Sequence, residues 1–161
     1  MELRRLKIEA LDLSLGRLRQ FPEAAVRKMA SSLRSKGQLS ALVAADEDGR
    51  LVLIDGFVRV LAAKRVGLSE LAVEVVQVDA VQMKAQVYLR NRERGLQLVE
   101  ICRLVRELVE VDGLSQVEVA DLLERHKSWV CRRLALFRRL SAELVEEAEL
   151  GELPAGSLCR L

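Results

Sequence analysis

Apolar and polar residues alternate along the first part of the chain in the way that half-buried strands require. Residues 6–13 alternate between apolar and polar residues and predict one strand, and the valine-rich run 71–78 predicts another. Between them, the apolar runs 39–45 and 51–54 flank the turn sequence Asp-Glu-Asp-Gly at 46–49, which predicts a β-hairpin. The pattern therefore indicates a sheet of several short strands.

Two helices are predicted among these strands. Pro22 opens the first, and Gly37 is placed to end it. Its apolar positions repeat at three- and four-residue spacing: Val26, Met29, Ala30 and Leu33. The second helix follows Gly56 and ends at Gly67. Strands and helices mixed in this order predict a small α/β domain over residues 1–80.

After Asp79 the periodicity is helical, and no further strand pair is predicted. The predicted helices cover residues 80–94, 98–111, 115–123, 128–137 and 142–150. The change of pattern near residues 79–95 marks a domain boundary. We therefore predict an α+β fold class, with the mixed α/β domain at 1–80 followed by an all-helical domain at 81–161.

The most specific local pattern is a helix-turn-helix at residues 115–137. Ser115 and Glu118 have the spacing of a capping box, in which each side chain accepts a hydrogen bond from the other residue's backbone N–H. Ala120 is small enough for two helices to cross closely. After a four-residue turn, Ser128 is predicted to cap the second helix.

Glu124 lies in this turn, where many such motifs have glycine. If the position requires a positive φ, glutamate costs about 1 kcal/mol relative to glycine. That cost is small enough for the turn to form.

The second helix of the motif presents two different faces. Its predicted inward residues are Val130, Leu134 and Phe137. Its predicted outward residues are Ser128, Arg132 and Arg139, with Trp129 and Arg133 on a flank. In a helix-turn-helix, the second helix lies in the major groove. Arg132 carries the planar fork that matches the two acceptors of guanine.

The charge distribution is uneven although the formal net charge is only +2. Residues 125–140 contain six Lys or Arg and no acid, whereas residues 141–152 contain five Glu and no base. A basic block of this kind suits a polyanion, but two solvated helix faces of opposite sign give the same pattern.

The predicted DNA-binding residues are Ser115, Gln116, Arg125, His126, Lys127, Ser128, Trp129, Arg132, Arg133 and Arg139.

The cysteines and the apolar runs exclude several other classes of protein. The three cysteines are odd in number and far apart, and the chain has one histidine, so we expect reduced thiols and no metal site. Cys131 is predicted to be a small apolar core residue. No apolar leader is present, and no apolar run approaches the ~20 residues that span a bilayer. We expect a cytoplasmic, nucleoid-associated protein, and we predict no catalytic residue.

In this order of elements the chain resembles the ParB family of plasmid and chromosome partition proteins over nearly its whole length. The family's first box resembles residues 29–37 followed by 39–44, and its second box, GERRxRAA, resembles residues 53–64. Its ENxQR box resembles residues 88–94. Its helix-turn-helix resembles residues 113–140, and the stretch that follows the motif resembles residues 151–156. The resemblance implies that the first domain has the ParB/sulfiredoxin-like fold. It also implies DNA as the partner.

In that family the boxes bind CTP and magnesium, and nucleotide binding lets a dimer clamp and slide on DNA. The matching residues here are Gly37, Gly56, Arg59, Asn91 and Arg94. The departures are Phe57 for the acid, Val58 and Leu61 for arginines, Arg90 for glutamate, Glu93 for glutamine and Ala41 for proline. They remove guanidinium groups that neutralise phosphates and a carboxylate suited to magnesium. We therefore expect no hydrolysis, and CTP binding with magnesium stays open.

Two functions follow from this reading. The first is a ParB-like DNA-binding protein in plasmid or chromosome partition, transcriptional regulation or mobile-element maintenance. The alternative is a CTP-dependent molecular switch, a slow CTPase that clamps DNA. The implied partners are double-stranded DNA, a second copy of the chain, and a ParA-like ATPase or transposition protein. We expect no C-terminal dimerisation domain, because the chain ends soon after the helix-turn-helix.

Overall fold

The computed structural model of the chain describes residues 2–139, which divide into two compact units between Met83 and Lys84. The first unit contains the strands β1 (Glu2–Lys7), β2 (Leu11–Asp12), β3 (Leu42–Glu47), β4 (Arg50–Asp55) and β5 (Glu70–Val76) and the helices α1 (Glu23–Lys36) and α2 (Phe57–Arg65). The second contains α4 (Leu98–Arg106), α5 (Gln116–Leu122), α6 (Lys127–Arg139) and most of α3 (Ala80–Leu89). The helix predicted at 142–150 and the family-like stretch 151–156 lie outside the described residues.

The five strands form one mixed sheet in the order β1-β5-β3-β4-β2. The pairs β1–β5 and β3–β4 are antiparallel, whereas β3–β5 and β2–β4 are parallel. β1 and β2 are the two edges, yet only residues 8–10 separate them along the chain. Four residue steps reach ~14 Å, whereas four strand spacings in a flat sheet measure ~19 Å. The sheet therefore curls and brings its edges together.

The single strand predicted at residues 6–13 is wrong. β1 ends at Lys7, a 3₁₀ turn covers Ile8–Ala10, and β2 follows. Ile8 and Leu11 are 3% and 7% exposed, although residues three apart point to opposite faces of a strand. The 3₁₀ turn rotates the chain so that both side chains enter the core.

The hairpin predicted at 39–54 is confirmed as β3 and β4, but β3 begins at Leu42. Leu39 is 73% exposed. Just before it, the side-chain amide of Gln38 donates to the Ala72 carbonyl at 2.8 Å and accepts from the Ala72 N–H at 2.7 Å. This side chain satisfies the β5 backbone where a longer β3 would otherwise pair, so the strand starts later than its apolar run.

The two helices of the first unit pack against each other. Arg65 of α2 donates two hydrogen bonds to the Glu23 carboxylate of α1, at 2.5 and 2.9 Å. The most deeply buried side chains of the unit are Leu18, Leu42, Leu53, Ile54, Val60, Leu71 and Val73. The mixed α/β fold expected for this half of the chain is therefore confirmed.

Gly56 joins β4 to α2 with a φ of 104°, a conformation that residues with a side chain rarely adopt. A Cβ at this position would clash with Cδ2 of the fully buried Leu42 and would lie 3.3 Å from Nη1 of Arg59. The backbone thus approaches β3 too closely for any side chain.

α3 ends at Leu89, five residues before the predicted end at 94. The Asn91 N–H donates to the Tyr88 carbonyl at 3.0 Å, and its side-chain Nδ2 donates to the Val87 carbonyl at 2.9 Å. The amide side chain thereby takes the acceptor that the next helical turn would use, and the helix stops.

A buried ion cluster fixes the far end of α4. This helix continues into a wider π turn at Glu107–Val111, so helical structure extends over the predicted residues 98–111. Lys84 Nζ lies 3.0 Å from Glu107 Oε1 and 2.8 Å from Asp112 Oδ2, with all three side chains largely buried. The cluster ties the π turn to α3 and fixes the point from which the chain enters α5.

Alanine at Gly56 tests the close approach of β4–α2 to β3. Gly67 also has a positive φ, 78°, but no atom lies within 4 Å of a Cβ built there. We expect Gly67→Ala to lower the free energy of unfolding by about 1–2 kcal/mol through backbone strain alone. Gly56→Ala should lower it by about 2–5 kcal/mol, because overpacking adds to the strain. Equal losses in urea denaturation would contradict the clash with Leu42.

Candidate nucleic-acid interface

α5 and α6 are separate helices joined by residues 123–126. Ser115 Oγ accepts from the Glu118 N–H at 3.2 Å, and Glu118 Oε2 accepts from the Ser115 N–H at 2.8 Å, so the predicted capping box is confirmed. The hydrogen bonds to Ser115 hold the pKa of Glu118 below its ordinary value. The carboxylate's stabilisation of the cap is therefore present at neutral pH and is lost as the pH falls through this lowered pKa.

His126 caps α6. Its Nδ1 accepts from the Ser128 N–H at 3.3 Å and lies 2.9 Å from Ser128 Oγ. The prediction that Ser128 caps this helix is wrong, because α6 begins one residue earlier, at Lys127. Since the imidazole takes the capping role, the Ser128 hydroxyl stays on the exposed surface of the first helical turn.

The buried seam of α6 lies where the sequence predicts it. Val130 and Leu134 are 0% and 2% exposed, and Phe137 is half-buried. The predicted outward residues Ser128, Arg132 and Arg139 are all exposed, as is Lys127. Cys131 is also exposed, so its predicted burial is wrong. One residue beyond Val130 along a helix lies about 100° round the axis, outside this narrow seam.

Several arginines have carboxylate partners, among them one residue of α6, Arg138. They are Arg4, Arg50, Arg65, Arg92 and Arg138. The other cations around α6 differ. Among residues 2–139, no carboxylate lies within ion-pair distance of Arg125, Lys127, Arg132, Arg133 or Arg139. Within the described range, the face therefore carries positive charge that no carboxylate pairs with.

An aromatic pair organises two of these cations. Tyr88 and Trp129 lie with ring centroids 5.7 Å apart. The Arg125 guanidinium lies 5.3 Å from the Trp129 ring and 5.7 Å from the Tyr88 ring, and its Nε donates to Tyr88 Oη at 2.6 Å. The Arg133 guanidinium lies 4.4 Å from the Trp129 ring. Trp129 thus packs on the flank of the core and also contacts two cations.

Arg133 is the most constrained of these cations. It is half-buried, and its Nε is buried without a hydrogen-bond acceptor in the described part of the chain. Burial lowers the pKa of Arg133, and Arg132 and Arg125 lower it further, whereas Cys102 has the opposite effect. Burial raises the pKa of the Cys102 thiol to about 11, so this thiol is neutral at pH 7. A desolvated cation without a counterion is costly, and an approaching anion would relieve that cost.

The turn between α5 and α6 is also tied to the end of α3. Glu124 has a φ of 54°, the left-handed conformation that glycine adopts most easily. Its carboxylate accepts from Arg92 Nη1 at 2.5 Å, and this contact raises the pKa of Arg92. The two residues are 32 positions apart, so no local pattern in the sequence predicts the pair.

The remaining predicted DNA residues lie at the ends of the two helices. Gln116 is the first residue of α5 and is half-buried, and Ser115 before it is exposed. Arg139 is the last residue of α6. Tyr88 was not predicted to belong to this surface, and the signal for it was only that it is the single tyrosine of the chain.

The residues matched to the nucleotide boxes are divided between the two units. In the first, Gly37 ends α1 with a φ of 68°, Gly56 starts α2, and Arg59 Nη1 donates to the Ala41 carbonyl at 3.1 Å. In the second, Asn91 is 6% exposed and ends α3, and the Arg94 N–H donates to the Asn91 carbonyl at 3.0 Å. Each therefore has a structural role within its own unit.

Residues 2–139 contain neither a candidate metal site nor a candidate membrane-spanning helix. No group of three or more His, Cys, Asp or Glu side chains is arranged there to hold a metal ion. None of the helices in that range has the length and apolar character needed to cross a membrane.

Both the fold and the sequence are similar to those of ParB proteins. The structure of a C-terminally truncated chromosome-partitioning protein ParB from Caulobacter crescentus complexed with CTP-γ-S is 25% identical, covers 98% of this chain and 90% of that chain, and has a TM-score of 0.52. A second structure of that truncated protein, complexed to the centromeric parS site, is 23% identical, covers 96% of this chain and 82% of that chain, and has a TM-score of 0.56.

Among curated proteins, the chromosome-partitioning protein Spo0J of Thermus thermophilus is 32% identical over 139 residues, 86% of this chain and 51% of the relative. The chain is therefore similar in sequence to chromosome-partitioning proteins of the ParB kind. It spans about half the length of the curated relatives it matches. No family model matches the chain.

Substitutions at Glu124 separate the backbone conformation of the turn from its ion pair. Glycine and alanine both remove the carboxylate that binds Arg92, but only alanine keeps a side chain at positive φ. We expect Glu124→Gly to be more stable than Glu124→Ala by about 1 kcal/mol, because relief of strain exceeds the added chain entropy of glycine. Guanidinium denaturation measures the difference. A glycine variant no more stable than the alanine variant would show that the position is not strained.

Proposed function

We propose that this chain binds double-stranded DNA through a helix-turn-helix formed by α5 and α6, in a role related to chromosome partition. The observation that carries the proposal is the cluster of cations around α6 that have no carboxylate partner among residues 2–139. Arg132 and Arg125 repel Arg133, and the aromatic contacts of Arg125 and Arg133 hold these two cations without neutralising their charge. Such a cluster suits a ligand with a regular array of negative charges. The relatives named for chromosome partition and the ParB complex with parS support DNA as that ligand.

In the proposed complex, α6 lies in the major groove with its exposed face toward the bases. Arg132 lies on this face and would read a guanine through its forked donors. Lys127 and His126 at the start of α6 would contact the backbone phosphates, as would the cap of α5 formed by Ser115 and Gln116. Positioning contacts of this kind fix the register without choosing a sequence.

The finer role within this class is also part of the proposal. Partition-related binding would place the protein on the nucleoid, with a second copy of the chain and a ParA-like ATPase as partners. Transcriptional regulation, plasmid partition and transposition use the same kind of DNA contact. The target sequence separates these roles. Selecting bound duplexes from a random pool, with and without CTP, would identify it.

Alanine substitutions on α6 test the orientation of the helix. Arg132→Ala should reduce discrimination between the selected site and random DNA by about 1–3 kcal/mol, because a base contact is lost. Lys127→Ala should weaken binding to all sequences. It should also reduce the slope of the logarithm of affinity against the logarithm of salt concentration by about one. Fluorescence anisotropy with labelled duplexes at several salt concentrations measures both effects.

The matched control for these variants is Lys28→Ala, which removes one exposed positive charge from α1. It should leave both the affinity and the salt slope unchanged. If Arg132→Ala and Lys127→Ala bind like the parent protein, α6 does not face DNA and the proposed orientation is wrong.

A second candidate function is a CTP-dependent clamp on DNA, and the match to a ParB structure complexed with CTP-γ-S favours it. The residues that would hold the nucleotide are Gly37, Gly56, Arg59, Asn91 and Arg94. The donor set fits phosphates better than magnesium, because the 5% exposed Phe57 stands where the second box has an acid. Bound CTP would supply negative charge that an arginine such as Arg59 neutralises. Hydrolysis is not part of the proposal.

Thermal unfolding with CTP and magnesium tests this candidate. At a concentration about a hundredfold above Kd, CTP should stabilise the fold by ~2.7 kcal/mol and raise Tm. Arg59→Ala should abolish the shift, and ATP serves as the control nucleotide. An unchanged Tm at millimolar CTP would eliminate the clamp and leave the DNA-binding proposal standing.

A further inference from the structure

Tyr88 connects the end of α3 to the proposed DNA-binding surface. Its side chain is 2% exposed, so its hydroxyl would be unsatisfied without a partner. The partner is Nε of Arg125, at 2.6 Å. Arg125 itself is exposed and lies in the turn before α6. A buried ring therefore fixes one edge of an exposed guanidinium group.

Trp129 fixes the same guanidinium group from another side. The Arg125 guanidinium lies 5.3 Å from its ring and the Arg133 guanidinium lies 4.4 Å from it. Two cations that repel each other are thus held beside one indole ring, which attracts both through its electron-rich faces. In the described residues neither has a carboxylate partner.

We propose that Tyr88 is a positioning residue, which with Trp129 holds Arg125 and Arg133 as a preformed site for a phosphate of the DNA backbone. This inference rests on the proposed DNA binding by α6 and assigns one of its phosphate contacts. When Nε is bonded to Tyr88, the two terminal nitrogens of Arg125 form the fork that binds phosphate oxygens. A phosphate at this place would also supply the counterion that Arg133 lacks.

The advantage of such a site is preorganisation. A free arginine side chain loses rotamer freedom when it binds, which costs a factor of about 2–12 in affinity. Tyr88 removes that freedom before DNA arrives. If the cluster only stabilises the second unit, loss of the Tyr88 hydroxyl would change stability alone. If the cluster is a phosphate site, the loss would change DNA affinity through Arg125.

The first experiment uses Tyr88→Phe, which removes the hydroxyl and keeps the ring beside Trp129. Binding is measured with a labelled random-sequence duplex, because a phosphate site is independent of sequence. We expect affinity to fall about 3- to 10-fold with little change in the salt slope, since Arg125 keeps its charge. Arg125→Ala should lower the affinity further and reduce the slope by about one. Arg138→Ala, which removes an arginine paired with Glu110, is the matched control and should do neither.

A double-mutant cycle shows whether Tyr88 acts through Arg125. In the Arg125→Ala background, Tyr88→Phe should cause no further loss of affinity. An equal loss with and without Arg125 would overturn the proposal, because Tyr88 would then act through the fold. Arg125→Lys covers the case in which Tyr88→Phe fails to fold. Lysine keeps the charge but cannot make the Nε contact, so it should reproduce the loss of affinity with the salt slope retained.

Intrinsic fluorescence gives a readout that a purely structural role would not move. Trp129 is the only tryptophan of the chain, so its emission reports on the cluster directly. Adding the random duplex should change the emission of the parent protein and change it much less in Arg125→Ala. An unchanged emission at saturating DNA would overturn the phosphate site. If the emission is unchanged but Lys127→Ala and Arg132→Ala still weaken binding, DNA binding by α6 stands without the phosphate site. If those two variants also bind like the parent protein, both the phosphate site and DNA binding by α6 are wrong.

Discussion

Electrostatic repulsion among the guanidinium groups of Arg125, Arg132 and Arg133 is the constraint on which the second unit depends. These groups are near enough for Arg132 and Arg125 to lower the pKa of Arg133. Carboxylates relieve such repulsion for other arginines of the chain, but none does so here within residues 2–139. Aromatic rings hold Arg125 and Arg133 instead, and the Tyr88 hydroxyl also binds Arg125. Those contacts fix the direction of the cations and leave their charge uncompensated, which is the condition for binding an external anion.

The end of α3 keeps this arrangement rigid through contacts that are spread along the second unit. Tyr88 binds Arg125, and Arg92 binds Glu124, so two successive residues of the turn before α6 are each held from the same helix end. Lys84 in turn fixes the π turn that leads into α5. The two helices of the proposed DNA-binding motif therefore start from positions that α3 determines. The left-handed backbone of Glu124 is tolerated because the carboxylate of this residue is bound to Arg92, which holds Glu124 in its place in the turn.

The sequence predicts the features of this chain that depend on neighbours three or four residues away. The capping box of Ser115 and Glu118 and the buried pair Val130 and Leu134 are confirmed because helical periodicity alone determines them. The missed features have partners far along the chain. Gln38 bonds to Ala72, 34 residues away, and Arg125 to Tyr88, 37 residues away. The His126 cap was missed for another reason, since histidine is rarely the residue that caps a helix. The DNA-binding role of the exposed face of α6 remains a proposal, because the exposure of its side chains does not identify the ligand that they bind.

The net charge of +2 limits how this chain can hold DNA. Long-range attraction by the whole molecule is weak, so affinity must come from local contacts with phosphates. Five cations around α6 have no carboxylate partner in the described part of the chain: Arg125, Lys127, Arg132, Arg133 and Arg139. Of these, Arg132 is proposed to contact a base. About four phosphate contacts remain for one copy, and each contributes roughly −0.9 to the salt slope of binding to duplex DNA. Two copies on adjacent half-sites would double the number of phosphate contacts and therefore the electrostatic part of the affinity. This gives a physical reason for the second copy that the resemblance to ParB implies.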